Sequence, residues 1–189
     1  MQKPTKAEAQ AAVKLILEYI GEDTSREGLQ ETPARVIKSY DELFVGYSQK
    51  IGNILNKQFQ DICEYNDVVL LRSINFTSIC EHHMLPFFGT VDIAYLPDGV
   101  VLGISKLARL VDIFSKRLQI QERLTSNIAL ALQEHLQPKG VAVRVRASHS
   151  CMTARGIFKV GSILESSHFT GIYHEQQNMR AEFWEMLKN

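Results

Sequence analysis

The first third of the chain shows the hydrophobic spacing of α-helices. Four apolar positions within residues 7–20 share one helical face: Ala11, Leu15, Ile16 and Tyr19. Gly21 follows as a stop signal. A second helix is predicted to begin at Thr32 and Pro33, with the threonine as its cap and the proline at its first helical position. Residues 47–66 are weakly patterned and predict a loop with a short helix.

From residue 67 onward the pattern changes to strands and longer helices. The predicted strands cover residues 68–76, 91–95 and 141–147, with a further strand pair within 157–173. The predicted helices cover residues 105–117, 121–136 and 178–188. Because strands and helices fall in separate blocks, the chain is predicted to be α+β with an antiparallel sheet. The expected organisation is an N-terminal helical segment, residues 1–66, followed by the sheet-containing domain, residues 67–189.

Composition narrows the class of protein. At 189 residues the chain has the length of one domain, and 21 basic residues balance 21 acidic ones. A net charge of zero disfavours a nucleic-acid or anionic membrane partner. No apolar run approaches the roughly 20 residues of a membrane span, and no signal-peptide pattern opens the chain. Three cysteines form no disulfide framework, so a cytoplasmic protein is expected, with Cys63 as a buried packing residue.

Cysteine and histidine gather in two short segments, residues 80–83 and 149–151. Three of these residues have the chemistry and spacing of zinc ligands and leave a fourth position open: Cys80, His83 and Cys151. Two neighbouring imidazoles, His82 and His149, are candidates for moving protons. The spacing therefore favours a catalytic metal. The alternative is a structural zinc, or a buried thiol pair with surface histidines.

A second group of candidates is cationic and suits a phosphate site. It comprises Ser105, Lys106 and Arg109 at a predicted helix start, Arg155 beyond the second cysteine segment, and Arg35 and Lys38 on one face of the second helix. Each of them alone is ordinarily a solvated surface group, and the spacing does not show whether they meet.

Gln121 and Glu122 stand at the start of the predicted helix 121–136. A glutamate at that position favours the helix dipole. A buried carboxylate there would instead accept two N–H groups from one edge of a guanine. The spacing does not decide between these two roles.

Long segments of the chain resemble the GTP cyclohydrolase I family. The matching segments are residues 31–36, 80–87, 93–97, 103–109, 117–125 and 149–156. The resemblance extends from about residue 7 to the C-terminus, and the combined motifs are very specific.

The resemblance implies a reaction and a role for each candidate. Zinc would be held by Cys80, His83 and Cys151. Water would open the imidazole ring of GTP at C8 with loss of formate, and His82 and His149 would act as acid/base groups. Ser105 would assist the rearrangement to 7,8-dihydroneopterin triphosphate, the first step of pterin and tetrahydrofolate biosynthesis.

The resemblance also implies how substrate and subunits are held. The triphosphate would lie against Lys106, Arg109, Arg155, Arg35 and Lys38, and Glu122, helped by Gln121, would read the guanine edge. Residues 67–189 would form a catalytic tunnelling-fold domain, a four-stranded antiparallel sheet with helices on one side. Such sheets join into barrels in a homodecamer of two pentamers, with active sites between subunits.

Two positions depart from the family pattern, and other functions stay open. Asp92 stands where many members carry a histidine, and Leu164 replaces a hydroxyl residue. The extended regulatory arm of some animal members is absent, so feedback control through it is not expected. The alternatives are a related tunnelling-fold enzyme acting on another purine or pterin, and a non-catalytic nucleotide-binding paralogue. The signature of zinc nucleoside deaminases does not occur.

Overall fold

The computed structural model describes residues 3–56, 58–59 and 65–188. These residues fall into two compact units, one within residues 1–45 and the other within residues 46–189. The division lies earlier in the chain than the boundary that the sequence predicts after residue 66. Cys63 lies outside the described residues. No helix among the described residues is long and apolar enough to cross a membrane.

The chain forms nine α-helices, one short 3-10 helix (Val45–Tyr47) and seven strands among these residues. The helices are α1 (Lys6–Tyr19), α2 (Glu27–Gln30), α3 (Thr32–Leu43), α4 (Gly52–Leu55), α5 (Ile104–Ser115), α6 (Gln121–Leu136), α7 (Ser150–Thr153), α8 (Ile172–Glu175) and α9 (Gln177–Met186). The strands are β1 (Gln58–Phe59), β2 (Val69–Cys80), β3 (Pro86–Leu96), β4 (Val101–Leu102), β5 (Leu118–Gln119), β6 (Gly140–His149) and β7 (Leu164–Phe169).

The first unit contains α1, α2 and α3. A capping box starts α1, because the Thr5 hydroxyl accepts from the Glu8 N–H and the Glu8 carboxylate accepts from the Thr5 N–H. The predicted first helix is confirmed, but its apolar face is open to solvent in the single chain, with Leu15, Ile16 and Tyr19 67%, 59% and 89% exposed. An exposed apolar face of this kind is typical of a contact surface.

The start of α3 differs from the prediction by one residue. Glu31, not Thr32, is the N-cap, and it already has helical backbone angles because it also ends α2. The Thr32 hydroxyl therefore donates to the Gly28 carbonyl at 3.3 Å instead of capping an N–H group. Pro33 lies within the first turn, where its missing N–H costs nothing.

The second unit is built on a five-stranded sheet with the order β5-β2-β3-β6-β7. All pairings are antiparallel except that β5 runs parallel to the end of β2. The strand predicted over residues 68–76 corresponds to β2, which begins at Val69 and continues to Cys80. Its register shifts between Leu71 and Ile74, where Ser73 has a φ of 57°.

The predicted strand pair within residues 157–173 is wrong, because β7 is the only strand there. Gly156 and Gly161 have φ values of 70° and 86°, and Phe158 between them has a φ of 49°. These left-handed residues keep the chain from extending, although its composition is β-prone. Ile157 and Phe158 are more than 60% exposed, so this segment adds a second apolar surface.

The two faces of the sheet carry different layers. Ile93 and Tyr95 face the core beneath α5 and α6, whereas Ala94 points to the other face and packs in a second cluster with Tyr173 and Phe183. The predicted α+β class with an antiparallel sheet is confirmed. The long helices cover one face as expected, while the short α8 and α9 cover one end of the other face, and the sheet has a fifth, two-residue strand.

Candidate metal and catalytic site

A tight loop between β2 and β3 carries two of the predicted metal ligands. The Met84 N–H donates to the Cys80 carbonyl at 2.9 Å, and the Cys80 N–H donates to the Leu85 carbonyl at 2.9 Å. Met84 adopts a φ of 52°, which lets the chain reverse within a few residues. The Glu81 N–H is bound to the Gln119 carbonyl of β5 at 3.0 Å. The short fifth strand therefore holds the loop in place.

The structure brings the three predicted ligands together. One ligand atom from each of Cys80, His83 and Cys151 lies within 4.8 Å of the others, and Cys80 Sγ is 3.9 Å from His83 Nδ1. Tetrahedral zinc with bonds of 2.0–2.3 Å would place such atoms about 3.5–3.8 Å apart. Two thiols and one imidazole in this spacing fit a zinc ion with one position left open.

The protonation of the two thiols supports the same assignment. Burial raises the pKa of the Cys151 thiol, and the neighbouring Cys80 raises it further, while the charge of Arg155 acts in the opposite direction. Two adjacent thiolates repel each other and need a cation between them. The opposing effect of Arg155 also shows that its charge lies within electrostatic reach of the cluster.

His149 ends β6 beside this cluster. Its ring lies on the ring of Phe87, with centroids 4.5 Å apart and an interplanar angle of 4°. Its Nε2 is 2.9 Å from Oε1 of Gln121. Burial lowers the pKa of His149, while the Glu122 carboxylate raises it. The imidazole is therefore held in one plane and in its neutral form at neutral pH.

His82 is more open to solvent than His149. Its side chain is 64% exposed, and its Nε2 is 3.9 Å from Oε1 of Glu81. Glu81 accepts a hydrogen bond from Arg123 of α6 at 2.7 Å, and this hydrogen bond lowers the pKa of Glu81. Arg123 thus keeps an anionic carboxylate next to the imidazole.

The side chain of Gln121 is occupied by protein partners. It is 1% exposed, and Nε2 lies 3.0–3.1 Å from the carbonyl oxygens of Val145 and Leu164 and from the Ser166 hydroxyl. With Oε1 bound to His149, no amide hydrogen is left for a base. In the single chain this side chain contacts His149 and β7, and its predicted contact with the guanine edge stays a prediction.

The other predicted residues are placed as follows. Glu122 is exposed in the first turn of α6, within electrostatic reach of His149, and Arg155 is exposed just after α7. The first two turns of α5 carry Ser105, Lys106 and Arg109, whose side chains form no hydrogen bond or ion pair in the described part of the chain. Arg35 and Lys38 are exposed on α3 in the first unit, and Arg35 pairs with Glu31 at 2.5 Å.

The sequence analysis does not predict three residues that contact the site. They are Phe87, Arg123 and Ser166, which contact His149, Glu81 and Gln121 respectively. The apolar alternation of β3 is the one signal that marks Phe87 as an inward residue. Nothing in the spacing of Arg123 or Ser166 links either of them to a partner about 40 positions away.

Fold and site together define an α+β domain with a two-thiol, one-imidazole cluster able to hold a metal ion, flanked by a half-buried histidine. The model of the family described as GTP cyclohydrolase I matches residues 9–188. The chain belongs to the GTP cyclohydrolase I family.

Relatives match along nearly the whole chain. A GTP cyclohydrolase 1 of Rickettsia felis (strain ATCC VR-1525 / URRWXCal2) is 56% identical over 183 residues, covering 97% of this chain and 96% of the relative. A GTP cyclohydrolase 1 of Rickettsia prowazekii (strain Madrid E) is 53% identical over 187 residues, covering 99% and 98%. Among solved structures, the apo form of the archaeosine synthase QueF-Like is 22% identical, covers 57% of this chain and 97% of that chain, and has a TM-score of 0.46.

Proposed function

We propose that this chain hydrolyses and rearranges GTP to 7,8-dihydroneopterin triphosphate with release of formate. The observation that carries the proposal is the Cys80, His83 and Cys151 cluster beside the half-buried His149, in a chain more than half identical to GTP cyclohydrolase 1 proteins. The product would enter pterin and tetrahydrofolate biosynthesis. A cytoplasmic location is part of this proposal, since the free thiols of Cys80 and Cys151 suit a reducing compartment.

One zinc ion per subunit would be held by Cys80, His83 and Cys151. When bound, zinc supplies Lewis-acid activation of water and of the substrate. The three residues leave one coordination position open, which suits a catalytic rather than a structural site.

His149 and His82 would move the protons of ring opening. Because burial lowers the pKa of His149, the ring is neutral at physiological pH and has a nitrogen able to accept a proton. His82 is exposed beside Glu81, so its imidazole is accessible to a bound substrate and suits the second proton-transfer role.

Glu122 would recognise the guanine. A carboxylate accepts hydrogen bonds only, so it matches the adjacent N1–H and 2-amino groups of that base. Its position in the first turn of α6, near His149, would place the base beside the proton acceptor. Ser105 would act later, in the rearrangement of the ribose and closure of the new ring.

The cationic residues would bind the triphosphate. Lys106 and Arg109 lie in the first two turns of α5, where the helix dipole adds to their charge, and Arg155 follows the metal ligand Cys151. Arg35 and Lys38 are exposed on α3 in the N-terminal unit. In a homo-oligomer, neighbouring subunits would contribute such scattered cations to one pocket.

A homodecamer with active sites between subunits is supported by the surfaces of the single chain. Within the described residues, β7 has no neighbour on its outer edge, and an uncovered edge strand readily pairs with another chain. Apolar side chains of α1 and of residues 157–163 are exposed, as Leu15 and Val160 illustrate. Sedimentation of the purified protein should give the mass of ten chains, and a fully active monomer would contradict this assembly.

The substrate assignment is tested by product analysis with GTP, ITP and ATP. GTP should yield one formate per oxidisable neopterin, ITP should react poorly because it lacks the 2-amino group, and ATP should not react.

Glu122→Gln should lower kcat/KM for GTP by about 10²-fold or more, since a site that hydrogen-bonds the polar edge of the base loses much of its affinity when one hydrogen-bonding partner is removed. Glu134→Gln, an exposed glutamate on the same helix, is the matched control. Zinc-loaded wild type that releases no formate from GTP would refute the proposal.

A further inference from the structure

The amide of Gln121 has one chemically consistent orientation. Two of the three groups around Nε2 are the carbonyl oxygens of Val145 and Leu164, which only accept hydrogen bonds. Turning the amide over would place Oε1 against both carbonyl oxygens, acceptor against acceptor, with no hydrogen between them. Nε2 therefore faces β6 and β7, and Oε1 faces His149.

This orientation determines which nitrogen of His149 carries the proton. An amide oxygen only accepts, so the contact of 2.9 Å between Gln121 Oε1 and His149 Nε2 requires a hydrogen on Nε2. Whenever the ring is neutral, the lone pair is then on Nδ1. The stack on Phe87 keeps the ring in the plane of this contact.

Two hydroxyl groups behind Gln121 reinforce the same orientation. The Thr125 hydroxyl donates to the backbone carbonyl of Gln121 at 2.8 Å, so its oxygen is free to accept. Its partner at 2.6 Å is the Ser166 hydroxyl, which must therefore be the donor of that pair. The Ser166 oxygen then accepts from Gln121 Nε2 at 3.1 Å. Donation in the network therefore runs from His149 beside the metal site to Gln121, and from Gln121 to β7.

We propose that Gln121, with the Ser166 and Thr125 hydroxyls behind it, is a positioning residue that fixes His149 as its Nε2–H tautomer. Nδ1 is then the nitrogen that takes up a proton during turnover. The tautomer follows from the contacts alone, whereas its kinetic consequence rests on the proposed function. The network also gives the β7 segment a role in catalysis, because Leu164 and Ser166 contribute a backbone carbonyl and a hydroxyl to it.

The tautomer is read directly by solid-state NMR of zinc-loaded, full-length protein with ¹⁵N-labelled histidine, at about pH 8, above the ordinary histidine pKa. His149→Gln assigns the signal. The wild type should show a proton on Nε2 and none on Nδ1. Gln121→Met keeps the length of the side chain but removes the acceptor, so both tautomers should appear. Thr125→Val and Ser166→Ala should shift the populations less, and Thr125→Ser should restore the wild-type spectrum.

Kinetics give a second and independent readout. Gln121→Met should lower kcat for formate release by about 10²-fold with a smaller change in KM, because a misplaced proton acceptor affects the chemical step. Ser167→Ala, the next hydroxyl along β7, is the matched control, since successive side chains of a strand point to opposite faces. The control should leave both the spectrum and kcat unchanged.

Three results would overturn the inference. They are a wild-type proton on Nδ1, an unchanged Nε2–H tautomer in Gln121→Met, and an unchanged kcat in a Gln121→Met protein that shows both tautomers. Failure of the proposed function is a separate outcome, because the spectrum is recorded without substrate while that failure appears as absent formate release by the wild type. If Gln121→Met does not fold, the wild-type spectrum and the Thr125 variants decide the matter.

Discussion

The imidazole of His149 lies parallel to the ring of Phe87, with centroids 4.5 Å apart and an interplanar angle of 4°. The two residues are register partners on β6 and β3, and Phe87 is fully buried. The stack fixes the plane of the histidine from the side of the hydrophobic core. A catalytic side chain that is held by packing needs no reorganisation when substrate binds.

Phe87→Leu should impair catalysis more than it impairs metal binding. Aromatic pairs of this kind are worth about 0.5–1.5 kcal/mol, so kcat for formate release should fall by up to about tenfold. The zinc content should stay at one per subunit, because no proposed ligand is altered. Phe88→Leu is the matched control, since its side chain lies on the opposite face of β3 and is 51% exposed. A Phe87→Leu enzyme with wild-type kcat would contradict the role of the stack.

Asp92 connects two other strands of the sheet through its carboxylate. Its carboxylate accepts from the Ser73 N–H at 2.9 Å and from Arg144 Nε and a terminal guanidinium nitrogen at 2.9 and 2.8 Å. The carboxylate side chain is only 3% exposed. Asp92 lies on β3, between β2 and β6 in the sheet. Its carboxylate therefore links Ser73, at the register shift of β2, to Arg144 of β6.

Asp92→Ala should destabilise the protein by about 3–5 kcal/mol, because it leaves the Arg144 guanidinium buried without its partner. Replacing both residues with apolar ones, as in Asp92→Leu with Arg144→Met, should cost much less. The control is the exposed ion pair of Arg146 and Glu165, in which Arg146 lies two residues after Arg144 on β6. This pair should contribute about 1 kcal/mol or less to the free energy of unfolding. Urea unfolding of the wild type, the two Asp92 variants and a variant without the Arg146 and Glu165 pair measures these differences. Equal losses of stability on breaking either ion pair would contradict the structural role of Asp92.

Tyr173 should make the fold sensitive to alkali. Burial, with the added charge of Glu182, raises the pKa of Tyr173 to about 12, whereas an unfolded tyrosine titrates near 10. Between these values the unfolded chain loses its proton first, so stability should fall as the pH rises from about 10 to about 12. Within the described residues, its hydroxyl has no hydrogen-bond partner.

Tyr173→Phe should remove this loss and be neutral or stabilising at pH 7, since it deletes an unpaired buried hydroxyl. Thermal unfolding from about pH 7 to 11 tests both effects. Tyr65→Phe, in which the lost hydroxyl is partly exposed and bonded to the Val68 carbonyl, is the control. A Tyr173→Phe protein as sensitive to alkali as the wild type would show that other groups cause the loss.

The sequence predicts most elements of the sheet domain and the three residues of the metal cluster. The helix at residues 121–136 is found with the predicted bounds, because its apolar period and its terminal Pro138 and Gly140 agree. The cluster is predictable because Cys80 and His83 share one loop and because few residue types bind zinc.

The remaining features depend on contacts between distant positions. Gln121 is a base-reading candidate in the sequence, and its contacts with His149 and with Leu164, 43 residues away, appear only in the folded sheet. The failure of the first strand predicted within residues 157–173 has a local cause, since left-handed backbone at Gly156 and Phe158 outweighs β propensity.

Zinc titration of metal-depleted protein, with formate release from GTP as the signal, tests the central claim most directly. The rate should rise linearly and level off at one zinc per subunit, and Cys151→Ala should neither retain zinc nor release formate. Cys151→Ala should still fold, because Cys151 lies at the edge of the core rather than within it. Full formate release without zinc, or a zinc-replete and active Cys151→Ala protein, would contradict the assignment of the metal site.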